Sequence, residues 1–166
     1  MRQVERFPLY ILSGGRSSRM GRDKARTTLD GLQLIRVVAN SLRDVSLSVT
    51  VVADVPRKYD DLGFRTIADR RGGLGPLSGV DAALRDAASN EPPWILCTFC
   101  DLIGLRDEWI EELAKQRDEH SRVVAYKSER WQPLPALLHL ALGPLVERSL
   151  EEDNLALWRI YEAVES

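Results

Sequence analysis

Only two cysteines, Cys97 and Cys100, and two histidines, His120 and His139, occur in 166 residues. Two thiols cannot build a disulfide framework, and a lone C-x-x-C lacks the second ligand pair of a structural zinc site. The histidines show no ligand spacing, so surface or core roles outweigh metal binding. A reducing cytoplasm is the expected compartment. Long apolar runs are missing too. The stretch 134–142 is interrupted by Pro135 and His139 and falls short of the roughly 20 residues that span a bilayer. The opening MRQVERFPLYIL is broken too soon by glycine and arginine to serve as a secretion signal. Nor is there an excess of positive charge: 23 Lys+Arg face 25 Asp+Glu, for a net charge of -2. No global field would hold a polyanion, so neither nucleic acid nor a membrane is an expected partner, and any phosphate site must be local.

What is present suits a packed globular unit. Apolar residues make up 44% and charged residues 29% of the chain, and the length matches one domain, 1–166. An apolar run at 9–12 stops at Ser13-Gly14-Gly15 and reads as a buried strand ended by a glycine turn. A β-branched run at 49–52 is a second strand, and Leu34, Val37, Val38 and Leu42 between them recur at helical spacing. Further strands are expected at 64–68, 94–100, 123–126 and 135–140, and helices at 78–88, at 107–117 with Asp107 as cap, and around 145–146 and 155–164. Pro133 and Pro135 point to an edge strand or a bulge. Apolar strands alternating with helices predict a three-layer α/β/α domain on a mostly parallel, twisted sheet. Ligands of such sheets bind beyond the carboxyl ends of the strands, which here means residues 13–24, Asp54, 69–79 and Asp101.

The segment after the first strand, SGGRSSRMGRDK, carries Gly14, Gly15 and Gly21 among Arg16, Arg19, Arg22 and Lys24. Glycines let consecutive amides converge on an anion, and guanidinium and ammonium groups neutralise it. That composition also fits a plain solvated loop. Its place at the sheet edge favours a polyphosphate cradle, of neither Walker nor dinucleotide-fold spacing.

Asp101 closes the strand WILCTFC, which leaves a carboxylate at that edge. Such a residue is either a turn or cap group, or an anchor for Mg²⁺, which prefers one or two carboxylates plus phosphate oxygens. Asp69 precedes the glycine-rich 70–79 loop, which reads either as a connection with Ser78 as helix cap or as a ligand contact. Cys97 and Cys100 should point to opposite faces as small buried hydrophobes. Trp94, Trp109, Trp131 and Trp158 read as packing residues, Trp131 being a candidate exception on the acceptor side.

As ordered text, LSGGRSSRMGRDKA resembles the signature L-[AS]-G-G-x-S-x-R-M-G-x-D-K of Rossmann-like nucleotidyltransferases, and among them the molybdenum cofactor guanylyltransferases. IADRRGGLGPLSGV, Cys100-Asp101 and SERWQPLPALLHL are similar to later segments of that family, so the resemblance runs to about residue 149. It implies GMP transfer from GTP to molybdopterin with release of pyrophosphate and Mg²⁺ as cofactor. It implies catalytic roles for Lys24, Arg19 and Asp101, with Asp101 as metal ligand. Nucleotide contacts are implied at Leu12, Ser13, Gly14, Gly15, Lys24, Asp69, Gly79 and Asp101. The nucleotide half would be about 1–101 and the acceptor half about 102–166. The chain departs from the pattern in Leu102-Ile103 after the acid, in Ala53-Asp54 where the family often has asparagine, and in lacking N-x-N-T-P-[ED]-[DE]-L. Acceptor binding is therefore expected to be incomplete or completed by another chain, either a second copy or a cofactor-assembly protein. A non-catalytic nucleotide-binding relative, or a transferase using CTP or a sugar phosphate, is the alternative.

Overall fold

The computed structural model describes residues 4–14, 21–89 and 93–165. Its centre is a six-stranded sheet built from β1 (Phe7–Leu12), β4 (Ser46–Ala53), β5 (Arg65–Ala68), β6 (Trp94–Phe99), β7 (Val123–Lys127) and β8 (Trp131–His139), in the order β5-β4-β1-β6-β8-β7. The pairs β1–β4, β1–β6 and β4–β5 are parallel, whereas β8 runs antiparallel to both β6 and β7. The expected three-layer α/β architecture is present. Period-two alternation sorts β1 cleanly: Phe7, Leu9 and Ile11 face one layer, and Tyr10 and Leu12 the other.

The first layer is α1 (Leu34–Ser41) and α3 (Asp107–Lys115), whose stripes Ile35, Val38 and Ile110, Leu113 are buried against the sheet. The second is α2 (Pro76–Asp86), α4 (Gly143–Glu151) and α5 (Leu157–Glu165), which bury Leu77, Val80, Val146, Leu150 and Ile160. Apolar cover on both faces is what a near-continuous apolar strand such as β1 requires. Cys97 and Cys100 belong to opposite cores, as their spacing predicts.

Several details differ from the sequence reading. The strand around Pro133 and Pro135 is interior, between β6 and β7. Its regular ladder with β6 begins only at Ala136, and its register with β7 shifts between Ala125 and Lys127. The prolines thus fall where no regular ladder amide is required, so the bulge alternative holds and the edge alternative does not. Gly75 caps α2 and Pro76 opens it, so Ser78 lies inside the helix; α3 is capped at Arg106, with Asp107 in its first turn. A small hairpin of β2 (Thr28–Leu29) and β3 (Leu32–Gln33) turns on Asp30-Gly31, both at positive φ. Trp109 and Trp158 are each 44% exposed and so are not core packing residues, unlike Trp94.

Chain direction locates the site. From β1 the chain moves outward to β4 and β5, then crosses back to add β6 on the other side of β1. The crevice between β1 and β6 is therefore the topological switch point, where open α/β sheets take their ligands.

Candidate active site

The bend after β1 is pinned on both flanks. Cys100 N donates to Leu12 O at 3.1 Å, Ser13 N to Val52 O at 2.9 Å, and Ser13 Oγ to the same carbonyl at 3.1 Å. At Gly14 a Cβ would meet nothing within 4 Å among the described residues, so on their side this backbone faces open space at the crevice. Gly15 and Arg19 lie outside the described residues.

The returning limb is fixed by a network around Asp23. Its carboxylate caps the short 3-10 turn Lys24–Arg26, accepting from Ala25 N at 3.1 Å and from the hydroxyl of buried Tyr59 at 2.9 Å. Arg26 and Lys58 lie 5.2 and 5.7 Å from the centre of the Tyr59 ring. Burial raises the Tyr59 phenol well above its ordinary range, so the group stays a hydrogen-bond donor. Lys58 also donates to Asp54 at 2.7 Å, a bond that lowers the Asp54 carboxyl. Asp54 is thereby tied to the same support.

This support delivers Lys24 to the other side of the crevice, where its Nζ lies 3.2 Å from Oδ2 of Asp101 in the turn that follows β6. Both side chains stay substantially exposed, 54% and 41%. The neighbouring thiol is no rival nucleophile: burial first, then the Asp101 charge, pushes Cys100 up to about 12. Cys97 is raised by burial alone.

Asp69 and Gly79 take up different positions. Asp69 accepts from Arg71 N at 3.0 Å and from Ser78 Oγ at 2.6 Å, so each carboxylate oxygen ties down the loop that leads into α2. Gly79 is buried where α2 crosses the end of β1; a Cβ there would come within 3.2 Å of the Leu12 side chain. Leu12 is itself buried beneath that helix, so its backbone rather than its side chain borders the crevice. The histidines are remote in role: His120 is exposed, and His139 Nδ1 accepts from Ala141 N at 3.0 Å while its ring meets Trp94 edge-on.

Among the described residues no group of three or more His, Cys, Asp or Glu could hold a metal ion by itself. The donor set at Asp101 instead suits a hard cation that completes its octahedron with phosphate oxygens and water. The arrangement can counter the charge of a polyphosphate with an ammonium and present one carboxylate to a shared cation beside the open backbone at Gly14. Sequence reasoning anticipated Lys24 and Asp101 but missed Tyr59, which sits in a charged stretch, RKYDD, with no periodic signal.

Comparison with known proteins agrees. The chain is similar to a "probable molybdenum cofactor guanylyltransferase" of Carboxydothermus hydrogenoformans, 34% identical over 148 residues, covering 89% of this chain and 73% of that protein. A protein of the same name from Deinococcus radiodurans is 41% identical over 138 residues, covering 82% and 69%. The fold superimposes on molybdopterin-guanine dinucleotide biosynthesis protein A from Archaeoglobus fulgidus with a TM-score of 0.75, at 21% identity over 94% of this chain and 79% of that one. Residues 9–166 match the MobA-like NTP transferase domain. The pinned glycine bend, the Lys24–Asp101 pair and these likenesses agree: the chain belongs to the MobA-like NTP transferase family.

Proposed function

We propose that this chain transfers GMP from GTP to the phosphate of molybdopterin, releasing pyrophosphate. The observation that carries this reading is the meeting of Lys24 and Asp101 over the switch point, beside the open backbone at Gly14. The amides of Gly14 and Gly15 orient the triphosphate. Lys24, with Arg19, neutralises it. A phosphate oxygen of the acceptor attacks the α-phosphorus and forms the new P–O bond. The bond to the bridging oxygen breaks, and its electron pair leaves with pyrophosphate. The nucleophile is already an anion, so alignment and charge stabilisation are the protein's task and no general base is needed. Mg²⁺ held by Asp101 would supply further charge neutralisation at the phosphates. Asp69 shapes the nucleotide-side loop, and Gly79 permits α2 to close on β1.

In this reading residues 1–101 form the nucleotide half and 102–166 the acceptor half of one domain. The β1–β4–β5 side serves the nucleotide and the β8–β7 side the acceptor. The setting is the cytoplasm, which suits two unpaired, buried cysteines. Incubation of the protein with Mg²⁺, labelled GTP and molybdopterin tests it. The guanine dinucleotide and pyrophosphate are the expected products. GTP binding without product would overturn catalysis, and preference for another NTP in a four-way competition would overturn the base assignment.

A further inference from the structure

We propose that the cavity between α3 and the β7–β8 hairpin docks the pterin ring of the acceptor, with Trp109 and Tyr126 as its aromatic walls; this rests on the guanylyl-transfer reading above. The cavity has a volume of about 410 Å³ and is lined by Leu102, Leu105, Trp109, Tyr126, Gln132 and Leu134, closed by Pro135. That is room for a bicyclic heterocycle, at the small end of ligand pockets.

The place is right for an acceptor. Leu102 directly follows Asp101, one step of about 3.8 Å along the chain. Gln132 and Leu134 belong to the part of β8 that continues past its Cys97–Ala136 pairing toward the edge where β6 ends. A ligand in the cavity therefore sits beside the carboxylate, on the β8 side, with the glycine bend and the Asp69 loop on the other.

Its chemistry is equally particular. Among the described residues no charged side chain lines it, and Gln132 brings an amide. Such a lining takes an uncharged flat ring with a donor and acceptor edge and leaves any phosphate outside, where Lys24 lies. A pterin carrying a phosphate at its far end has that division. One wall is also set in advance: the Tyr126 hydroxyl donates to the Trp109 main-chain carbonyl at 2.9 Å, which orients the Tyr126 ring and joins the hairpin to α3. Both rings nevertheless stay exposed, 44% at Trp109 and 37% at Tyr126. Exposed aromatic faces at a site rim favour stacking of a ligand.

The test is anaerobic calorimetric titration of molybdopterin into the full chain, without GTP, for the wild type, Trp109→Ala and Trp158→Ala. The last removes an indole of equal exposure outside this cavity. Trp109→Ala should weaken molybdopterin binding by roughly tenfold or more, the scale of one lost stacking partner. Trp158→Ala should leave it unchanged, and circular dichroism should be the same for all three. In steady state the KM for molybdopterin should rise in Trp109→Ala while that for GTP stays within about twofold. Equal binding by wild type and Trp109→Ala, no binding by wild type, or a rise in the KM for GTP instead would each overturn the proposal. Trp109-dependent binding without transfer would leave the docking site standing and remove the guanylyl-transfer reading.

Discussion

Lys24 Nζ and Asp101 Oδ2 meet at 3.2 Å although 77 positions separate the two residues in the chain. An ion pair this exposed contributes only about 0–1 kcal/mol to stability. Its worth therefore lies in charges held ready for a ligand. Lys24→Ala and Asp101→Ala should each lower turnover by roughly 10²-fold or more, as removal of a preorganised electrostatic group does. Unfolding free energies should move by less than about 1 kcal/mol. Rapid-quench assay of product, set beside denaturant titration, checks both halves of this expectation.

Chelation should separate activity from folding. Where the divalent ion is shared between Asp101 and the substrate, excess EDTA should stop transfer and added Mg²⁺ should restore it. The far-ultraviolet spectrum and melting curve should not change, because no cluster of three or more metal-binding side chains exists among the described residues. A large fall in melting temperature on chelation would contradict that view.

Tyr59→Phe keeps the buried ring and removes the hydroxyl that holds Asp23. The loss of one hydrogen bond should cost about 0.5–1.5 kcal/mol of stability. Freed of that tie, the turn carrying Lys24 loses orientation, so kcat should fall several-fold with little change in the KM for molybdopterin. Steady-state kinetics in both substrates decides it.

At Gly79, valine would press its methyl groups into Leu12, where even a Cβ comes within 3.2 Å. Overpacking of this kind costs about 1–3 kcal/mol. Leu12 leads directly into the glycine bend, so the KM for GTP should rise together with the loss of stability. Urea titration and GTP kinetics on the same preparation measure the two effects.

Arg65 grips Asp86 with two bonds of 2.6 and 2.7 Å, and Tyr10 adds a third at 2.8 Å. The Arg65 bonds, followed by that from Tyr10, hold the Asp86 carboxyl below its ordinary range against the opposing effect of burial. A lowered folded pKa contributes stability above the unfolded value of about 4 and loses it as pH falls through the folded one. Arg65→Met should therefore destabilise by about 1 kcal/mol at neutral pH, allowing for the exposure of the arginine. The gap to wild type should close below about pH 4. Denaturation midpoints at pH 7 and pH 3 test the sign.

The sheet strands, their covering helices and the Lys24–Asp101 edge were legible because burial leaves a periodic trace and because parallel strands send their ligands to one end. Less was legible where local rules collide. Pro133 and Pro135 point equally to an edge or a bulge, and only the pairing decides: the strand is interior, with the prolines outside its regular ladder. The β2–β3 hairpin carries a local signal, the Asp30-Gly31 pair that favours a tight turn, but its two-residue strands are too short for a periodic signature. The bond from Tyr59 to Asp23 spans 36 positions and has no periodicity to betray it. An indole seen in sequence alone reads as a packing residue; only the tertiary arrangement reveals the open face of Trp109.

Since β8 runs against β6, the tip joining it to β7 emerges on the same rim as Asp101 and the end of β1. Residues 128–130 can thus be lengthened or exchanged without redirecting any of the parallel strands β1, β4, β5 and β6.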